Sequence, residues 1–460
     1  MALVAYKRIQ RQFPDFVDAW TNASVVLYDM GRKEEAMYMA ERAVGLGPEN
    51  PTAVCALANA QLSLGNVDEA FANFHKAISL DPCHVPALTN LAGIYNRRGQ
   101  IAEALALDDR AIQADPSNSV LLGNRGHTKM RAMDLDGAEE DLAKALELNS
   151  GNALSRWNLA YVQLLQHRYD DAWPNFGARI DLAEWAGNRR EFGKPHWKGE
   201  PLDGRTLLVY SEQGFGDTIQ FSRFIAHLGR FGGEILFLTS RALQSLLSDI
   251  AGADMRIALE DEPLPEYDLV VPLMGLPAIM NVGRSDLAPL SPPPLPEPPT
   301  IAEFDRPGFK VGLVWAGSPI HSNDSLRSMN PRYFDGLADL EGIAWYGLQV
   351  PKSAEPPKLS GFLDLSRYMK DFMDTAQIIR QLDLVVTVDT SMAHVAGYLG
   401  LPCAVLLAFL PDWRWGATGQ STSWYPSLTL LRQPAHDDWG SVVGQLRALI
   451  AERVLRRGRL

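Results

Sequence analysis

The sequence predicts two architectures in one chain: an all-α solenoid of paired helices up to residue 180, then two α/β lobes built on parallel sheets. Three observations predict it. A 34-residue period runs through the first part. From about Arg205, short apolar runs alternate with helix-like segments. The stretch SPPPLPEPPT at 291–300, too proline-rich for helix or sheet, splits the second part in two and reads as a stiff connector. The expected divisions are a solenoid at 1–180, a connector at 181–204, a first lobe at 205–290, a linker at 291–305 and a second lobe at 306–460.

The bulk numbers narrow the function classes. At 460 residues the chain is long enough for two or three domains with their own cores. It is 46% hydrophobic and 21% charged, as ordinary globular proteins are. A net charge of −12 argues against a nucleic-acid partner. No apolar run approaches the roughly 18 residues that read as a membrane span, and MALVAYKRIQRQF has too short an apolar core for a signal peptide. Cys55, Cys83 and Cys403 form no C-x-x-C pattern and read as buried thiols of a cytoplasmic protein.

The period is carried by small residues. Ala36, Ala70, Ala104, Ala138 and Ala172 are spaced by 34, as are Ala43, Ala77, Ala111 and Ala145, and Pro48, Pro82 and Pro116. Gly31, Gly65 and Gly99 mark the turn inside each unit, while Ser24, Ala58, Ala92, Gly126 and Ala160 keep the same step. Two helices cross closely only where side chains are small, and each unit buries its apolar face only by stacking on a neighbour. This spacing resembles the tetratricopeptide repeat (TPR), which implies about five full units. Ala2, Tyr6 and Pro14 extend the period backward, so the chain is expected to begin at the second helix of a repeat. Residues 1–17 are then expected to fray or to pair with another chain.

Asn22, Asn90, Asn124 and Asn158 share one slot of the first helix of each unit, with Ala56 the exception. An amide offers donor and acceptor together and can grip a peptide backbone without reading its side chains. The pattern resembles the asparagine ladder of the O-linked N-acetylglucosamine transferase solenoid, which implies a peptide-binding groove. The alternative is that these residues only brace neighbouring helices.

In the second part TLLVY (206–210), GEILFLT (233–239) and YDLVVPL (267–273) read as strands of one parallel sheet. KVGLVWAG (310–317), IAWYGLQ (343–349), LDLVVTVD (382–389) and PCAVLLAF (402–409) read as a second. Ligands of such sheets sit at the carboxyl ends of strands. There, EQGFGDTIQF (212–221) sets Gly214, Gly216 and Asp217 between strand and helix. VDTSMAHVAGYLGLP (388–402) closes a strand with Asp389 and opens a helix with Thr390, Ser391, Met392, Ala393 and His394. Its free N–H groups and helix dipole would meet a diphosphate, unless Asp389 or Thr390 is an ordinary cap. Loop 317–333 carries Ser318, Arg327 and Ser328, and Arg suits bidentate contact with phosphate. PDWRWG (411–416) offers Trp413 and Trp415 for stacking on a base or sugar, or as structural core. MDTAQ (373–377) reads as a capping box of Asp374 with Gln377.

The order EQGFGDTIQF, GLVWAGSP…HSNDSLRS, DLVVTVDTSMAHVAG, PDWRW…WYPS is similar to that of bacterial proteins that join TPR units to a heptosyltransferase-like glycosyltransferase domain of the GT-B fold. The resemblance covers nearly all of 195–435 and includes flagellin-modifying enzymes whose repeats recruit the protein acceptor. It implies a pair of Rossmann-like lobes, a nucleotide-sugar co-substrate held by the second lobe, and an acceptor reached from the first. It implies that Gly214 and Gly216 let the backbone approach the ligand. Asp217 would take the acceptor hydroxyl's proton, or else would only cap its helix. His394 would contact sugar or phosphate, or pack in the core. The only D-x-D, Asp134–Asp136, lies at a repeat turn, so metal-independent transfer with no cofactor is expected. The rival readings are transfer to lipopolysaccharide or another glycan, and a non-catalytic scaffold in which the solenoid acts alone.

Overall fold

A computed structural model describes residues 2–182, 190–250, 254–283, 287, 294–321, 323–350 and 355–457. The chain divides into two compact units, Met1–Leu159 and Ala160–Leu460. The boundary falls within a helix about twenty residues before the expected limit at 180, because the aromatic residues of the last helical pair pack on the α/β unit, as described below.

The first unit is a row of antiparallel helices: α1 (Ala2–Gln12), α2 (Val17–Asp29), α3 (Lys33–Leu46), α4 (Pro51–Ser63), α5 (Val67–Leu80), α6 (Val85–Arg97), α7 (Ile101–Ala114), α8 (Ser119–Arg131), α9 (Leu135–Leu148) and α10 (Ala153–Leu165), which runs into the second unit. From α2 to α9, helices of 13 and 14 residues alternate, which is the repeat written in structure. Small residues stand at the crossings as expected. Ser24 donates to the Ala36 carbonyl at 2.8 Å, and a Cβ on Gly126 would lie 2.7 Å from Leu142 Cγ. Gly31, Gly65 and Gly99 take left-handed turns with φ of +71°, +87° and +73°. The corresponding Met133, at φ +62°, adopts the same conformation against its Cβ. A further 34-residue series escaped the sequence reading: Asn50, His84, Asn118 and Asn152 each cap the following helix with a side-chain acceptor.

One polar network lies inside this apolar row. Asn96 donates to Thr128 Oγ1 at 2.8 Å, and Thr128 donates to Asp108 at 2.6 Å. Asp108 is only 4% exposed, and burial pushes its carboxyl up to about 6. Arg125 pairs with Asp141 and Asp109, and Lys129 with Asp141. Asp134 caps α9 by accepting from the Gly137 N–H. Of the cysteines, Cys55 and Cys403 are buried, whereas Cys83 is exposed, contrary to expectation, because it follows Asp81–Pro82 in an inter-helix turn.

In the second unit α10 ends and α11 (Tyr169–Phe176) follows. Strands β1 (Thr206–Tyr210), β2 (Glu234–Thr239), β3 (Met255–Leu259) and β4 (Leu269–Pro272) form a parallel sheet ordered β3-β2-β1-β4. Strands β5 (Phe309–Val314), β6 (Ile343–Gly347), β7 (Leu363–Asp364), β8 (Leu384–Val388), β9 (Cys403–Leu407) and β10 (Leu428–Arg432) form a second parallel sheet ordered β10-β9-β8-β5-β6-β7. The strand order reverses direction between β1 and β4 in one sheet and between β5 and β8 in the other; such switch points open crevices at strand carboxyl ends. The associated helices are α12 (Phe215–Phe221), α13 (Arg241–Gln244), α14 (Leu276–Met280), α15 (Asp324–Arg327), α16 (Phe372–Ile379), α17 (Ser391–Tyr398) and α18 (Trp439–Arg457).

Two expected connectors are more structured than their composition suggested. His196 forms a parallel bridge to Val270, and Trp197 donates its N–H to the Val270 carbonyl at 2.9 Å, so the end of 181–204 extends the first sheet; residues 183–189 lie outside the described residues. The second half of the proline linker is docked on the second lobe, with Arg380 donating to Pro296 O and Phe304 packed on Tyr346; residues 291–293 are outside the described set. The cap of α16 is Asp371, which accepts from the Asp374 N–H, while Asp374 accepts from Lys370 N–H. The box therefore sits three residues earlier than Asp374–Gln377.

Candidate functional site

The polar groups gather at the carboxyl ends of β5 and β8. After β5 the chain turns at Trp315–Gly317, where the buried Gln349 side chain accepts from the Trp315 and Ala316 N–H groups and donates to the Ala316 carbonyl. This brace holds the loop that carries Arg327. Gly317 donates to Ser328 Oγ at 2.9 Å, and Ser328 and Arg327 both donate to Asp324. A Cβ on Gly317 would lie 2.5 Å from Arg327 Nη2, so the glycine lets the guanidinium lie flat on the backbone. Ser318 is exposed on the same loop. Arg327 keeps about a fifth of its side chain open to solvent.

After β8, Asp389 stands half-buried at the mouth of α17. Burial pushes its carboxyl up to about 7, and the neighbouring charge of Asp412 adds to this. The Trp415 indole, Arg327 and Arg414 oppose the shift, although the indole N–H does not reach hydrogen-bond geometry. Thr390 is the N-cap: its hydroxyl accepts from Met392 N–H at 3.3 Å, and its carbonyl from Ala393 N–H at 3.1 Å. Of the Thr390, Ser391 and Met392 amides expected to meet a phosphate, that of Met392 is therefore corrected, being engaged locally, as is that of Ala393. The Thr390 hydroxyl also lies 2.9 Å from Thr387 Oγ1, and the half-buried Ser391 follows it at the first position of α17.

His394 is a core residue, not a ligand contact. It is 5% exposed, its Nδ1 is 3.0 Å from Tyr425 Oη, and its ring packs beside Trp415. Burial holds it well below the usual imidazole range, with Arg414 and Arg223 adding to the effect, so it is neutral. Gly216 faces this ring: a Cβ there would lie 2.6 Å from His394 Cδ2. That glycine serves the close approach of α12 to α17, not of backbone to ligand. Gly214 has an ordinary φ of −67° and donates to Asp217 Oδ2 at 2.9 Å.

Asp217 is the main departure from expectation. One oxygen caps α12 through Gly214, and the other is paired with Arg414. Both oxygens are thus already engaged within the fold, so this geometry does not favour the proton-accepting role. Arg414, 7% exposed, also binds Asp412 at 2.8 Å and Gln220. Burial works against its charge, but Asp412 and Asp217 more than compensate and its acidity is weakened. Trp413 and Trp415 are buried and offer no face to a base or sugar. Trp413 packs edge-on against Trp173, Phe176, Phe221 and Trp424, with Arg414 over its ring at 4.4 Å. Arg223, from the segment after α12, enters the same cluster and donates to Trp424 O.

Sequence reasoning missed Arg414, Asp412 and Gln349. The first two stand inside the quoted PDWRWG, where the tryptophans drew attention away from the residue they enclose. It also missed the buried pair of Arg179 with Glu212, which opens EQGFGD; burial raises the Glu212 carboxyl, with Arg179 opposing.

The asparagine positions, each the sixth residue of its helix, are not equivalent. Asn22 is exposed, Asn90 and Asn124 are half-buried, and Asn158 is buried. Asn90 donates to Asn59 Oδ1 at 2.8 Å, a brace between neighbouring helices. Asn158 is thereby corrected from groove to interior.

Comparison with known proteins matches the description "Tetratricopeptide repeat" to residues 2–51, 55–119 and 124–183. Protein FlbA of Caulobacter vibrioides is 22% identical over 357 residues, covering 70% of this chain and 57% of FlbA. The chain thus spans less than two thirds of that relative, and the matched span is longer than the repeats alone. Among solved structures, Pseudomonas aeruginosa pilF is 22% identical, covering 35% of this chain and 75% of its own with a TM-score of 0.33. A thermophilic TPR protein of Thermus thermophilus is 26% identical, covering 36% and 92% with a TM-score of 0.33. The N-terminal part of the chain carries tetratricopeptide repeats, a module for protein–protein interaction, and the C-terminal part is parallel α/β. No helix among the described residues is long and apolar enough to cross a membrane.

Proposed function

We propose that the protein is a metal-independent glycosyltransferase of the GT-B type, moving a sugar from a nucleotide sugar to a hydroxyl of a protein recruited by the repeats. The observation that supports it best is the charge interaction of Arg327 with Asp389, which follow the two strands β5 and β8 that flank the switch point. In the reaction an acceptor oxygen bonds to the anomeric carbon while the bond from that carbon to the leaving phosphate oxygen breaks. Arg327 neutralises the departing phosphate. Asp389 takes the acceptor's proton, a role its raised carboxyl suits better than the ion-paired Asp217. Arg414 holds Asp217 and Asp412 in place. The acceptor suggested by the sequence resemblance is flagellin, gripped through Asn22, Asn90 and Asn124.

Incubating the full chain with nucleotide sugars and candidate acceptor proteins, with mass spectrometry of the acceptors, tests this reading. A mass increment on an acceptor, lost in the double variant Asn90→Ala with Asn124→Ala, is expected. An increment indifferent to that double variant removes the recruiting groove. The closed ion pair of Asp217 with Arg414 favours a second reading, a non-catalytic scaffold, for which no increment and no nucleotide binding are expected.

A further inference from the structure

The segment between β9 and β10 is twenty residues long, 408–427, and its one regular turn among them is a single 3-10 turn at Trp413–Trp415. A loop of this length that carries two charged site residues needs anchors. Several come from the helices just before the sheets. Ala417 donates to Leu165 O at 2.9 Å. The His167 ring lies so close to Gly416 that a Cβ there would be 2.3 Å from its Nε2. Trp173 and Phe176 of α11 meet Trp413 edge-on. Arg432 of β10 adds bonds to the Trp415 and Gly416 carbonyls. At the other end of the turn, next to the acids, Tyr161 of α10 donates its hydroxyl to Pro411 O at 3.4 Å.

We infer that Tyr161 is a positioning residue of the candidate site: its hydroxyl fixes Pro411 and thereby holds Asp412 and Arg414 beside Asp389. The half-buried Tyr161 has Asp412, Arg414 and Asp389 as its charged neighbours. Burial, reinforced by Asp412, keeps its phenol protonated and therefore a donor. Arg414 in turn binds Asp217 and Gln220, so the anchor acts on both sheets' loops. The consequence for ligand binding rests on the transferase reading, whereas the consequence for the loop does not.

The test compares the full chain with Tyr161→Phe, which keeps the ring and removes one oxygen. Hydrogen exchange of the backbone amides at 412–417 is measured without ligand, beside the melting temperature. Binding of uridine, guanosine and adenosine diphosphates and of cytidine monophosphate is then measured. The expected result is exchange at least about threefold faster, confined to 412–417, with the melting temperature nearly unchanged; losing even a long, weak loop hydrogen bond carries that much. Whichever nucleotide binds the parent chain is expected to bind the variant about fivefold more weakly. Unchanged exchange at 412–417, or a uniform rise with a lower melting temperature, overturns the inference. Local loosening with no nucleotide bound by either protein leaves Tyr161 as the loop's anchor and removes the transferase reading instead.

Discussion

Asp389, half-buried, and Asp108, buried, are two carboxyls pushed up by the same cause in different settings. Asp389, at about 7, sits at a strand end among the charges of Asp412, Arg327 and Arg414. If it accepts the proton, transfer rises with pH through about 7, because only the deprotonated form acts. Asp389→Asn is expected to slow turnover by about 100-fold at pH 8, a typical general-base contribution; a transfer assay across pH 5–9 checks both. Asp108, at about 6, accepts from Thr128 inside the solenoid, with Asp109, Arg125 and Asp141 as charged neighbours. Its folded value lies above its unfolded one, so the folded state holds the proton more tightly and stability is lost as pH rises from about 4 to about 6. Asp108→Asn is therefore expected to stabilise the solenoid by about 1–2 kcal/mol at pH 7, less than the full shift because the new amide hydrogens need partners. The gain disappears below about pH 4, which urea unfolding at several pH values measures.

At the level of elements, the turns and crossings are where single residues decide. Met133 occupies the left-handed turn that Gly31, Gly65 and Gly99 fill in the earlier units. Met133→Gly is expected to raise stability by about 0.5–1 kcal/mol, the relief of Cβ strain less the added freedom of the unfolded chain. Gly216 and Gly214 make a contrasting pair. Gly216→Ala drives a methyl into the buried His394 ring and is expected to destabilise the α/β unit by about 1–3 kcal/mol. Gly214→Ala meets only the Asp217 carboxylate at 3.2 Å and is expected to be milder; calorimetric melting of both variants distinguishes them. The same scale explains what was readable. The helix pairs followed from the period, and the interior strands from continuous apolar runs such as Leu384–Val388, every residue of which is buried. Strands β3, β7 and β10 went unseen because they lie at sheet edges and carry residues such as Arg256 and Arg432 that an interior strand excludes.

Across the whole molecule the site is assembled from segments far apart in sequence, and that is why it was only half legible. Arg327 and Asp389 could be singled out as candidates because each follows a recognisable strand, and strand ends are where parallel sheets place ligands. The pairing of Asp217 with Arg414 joins residues 197 apart, and no local pattern announces it. Nor does a local pattern distinguish a tryptophan that faces a ligand from one packed among Trp173, Phe176 and Trp424, as Trp413 is. The polar residues of a site can be read from their neighbours in the chain; whether each is open or engaged depends on the other lobe.

In the proposed reaction the loops at the ends of β5 and β8 bind the phosphates of a nucleotide sugar through Arg327. Titration calorimetry of the full chain and of Arg327→Ala with nucleoside diphosphates tests it most directly. Saturable binding of at least one nucleotide to the parent chain is expected, weakened about 10- to 100-fold in the variant, as loss of charge-assisted phosphate bonds implies. Binding of equal strength in both proteins, or none in either, contradicts it.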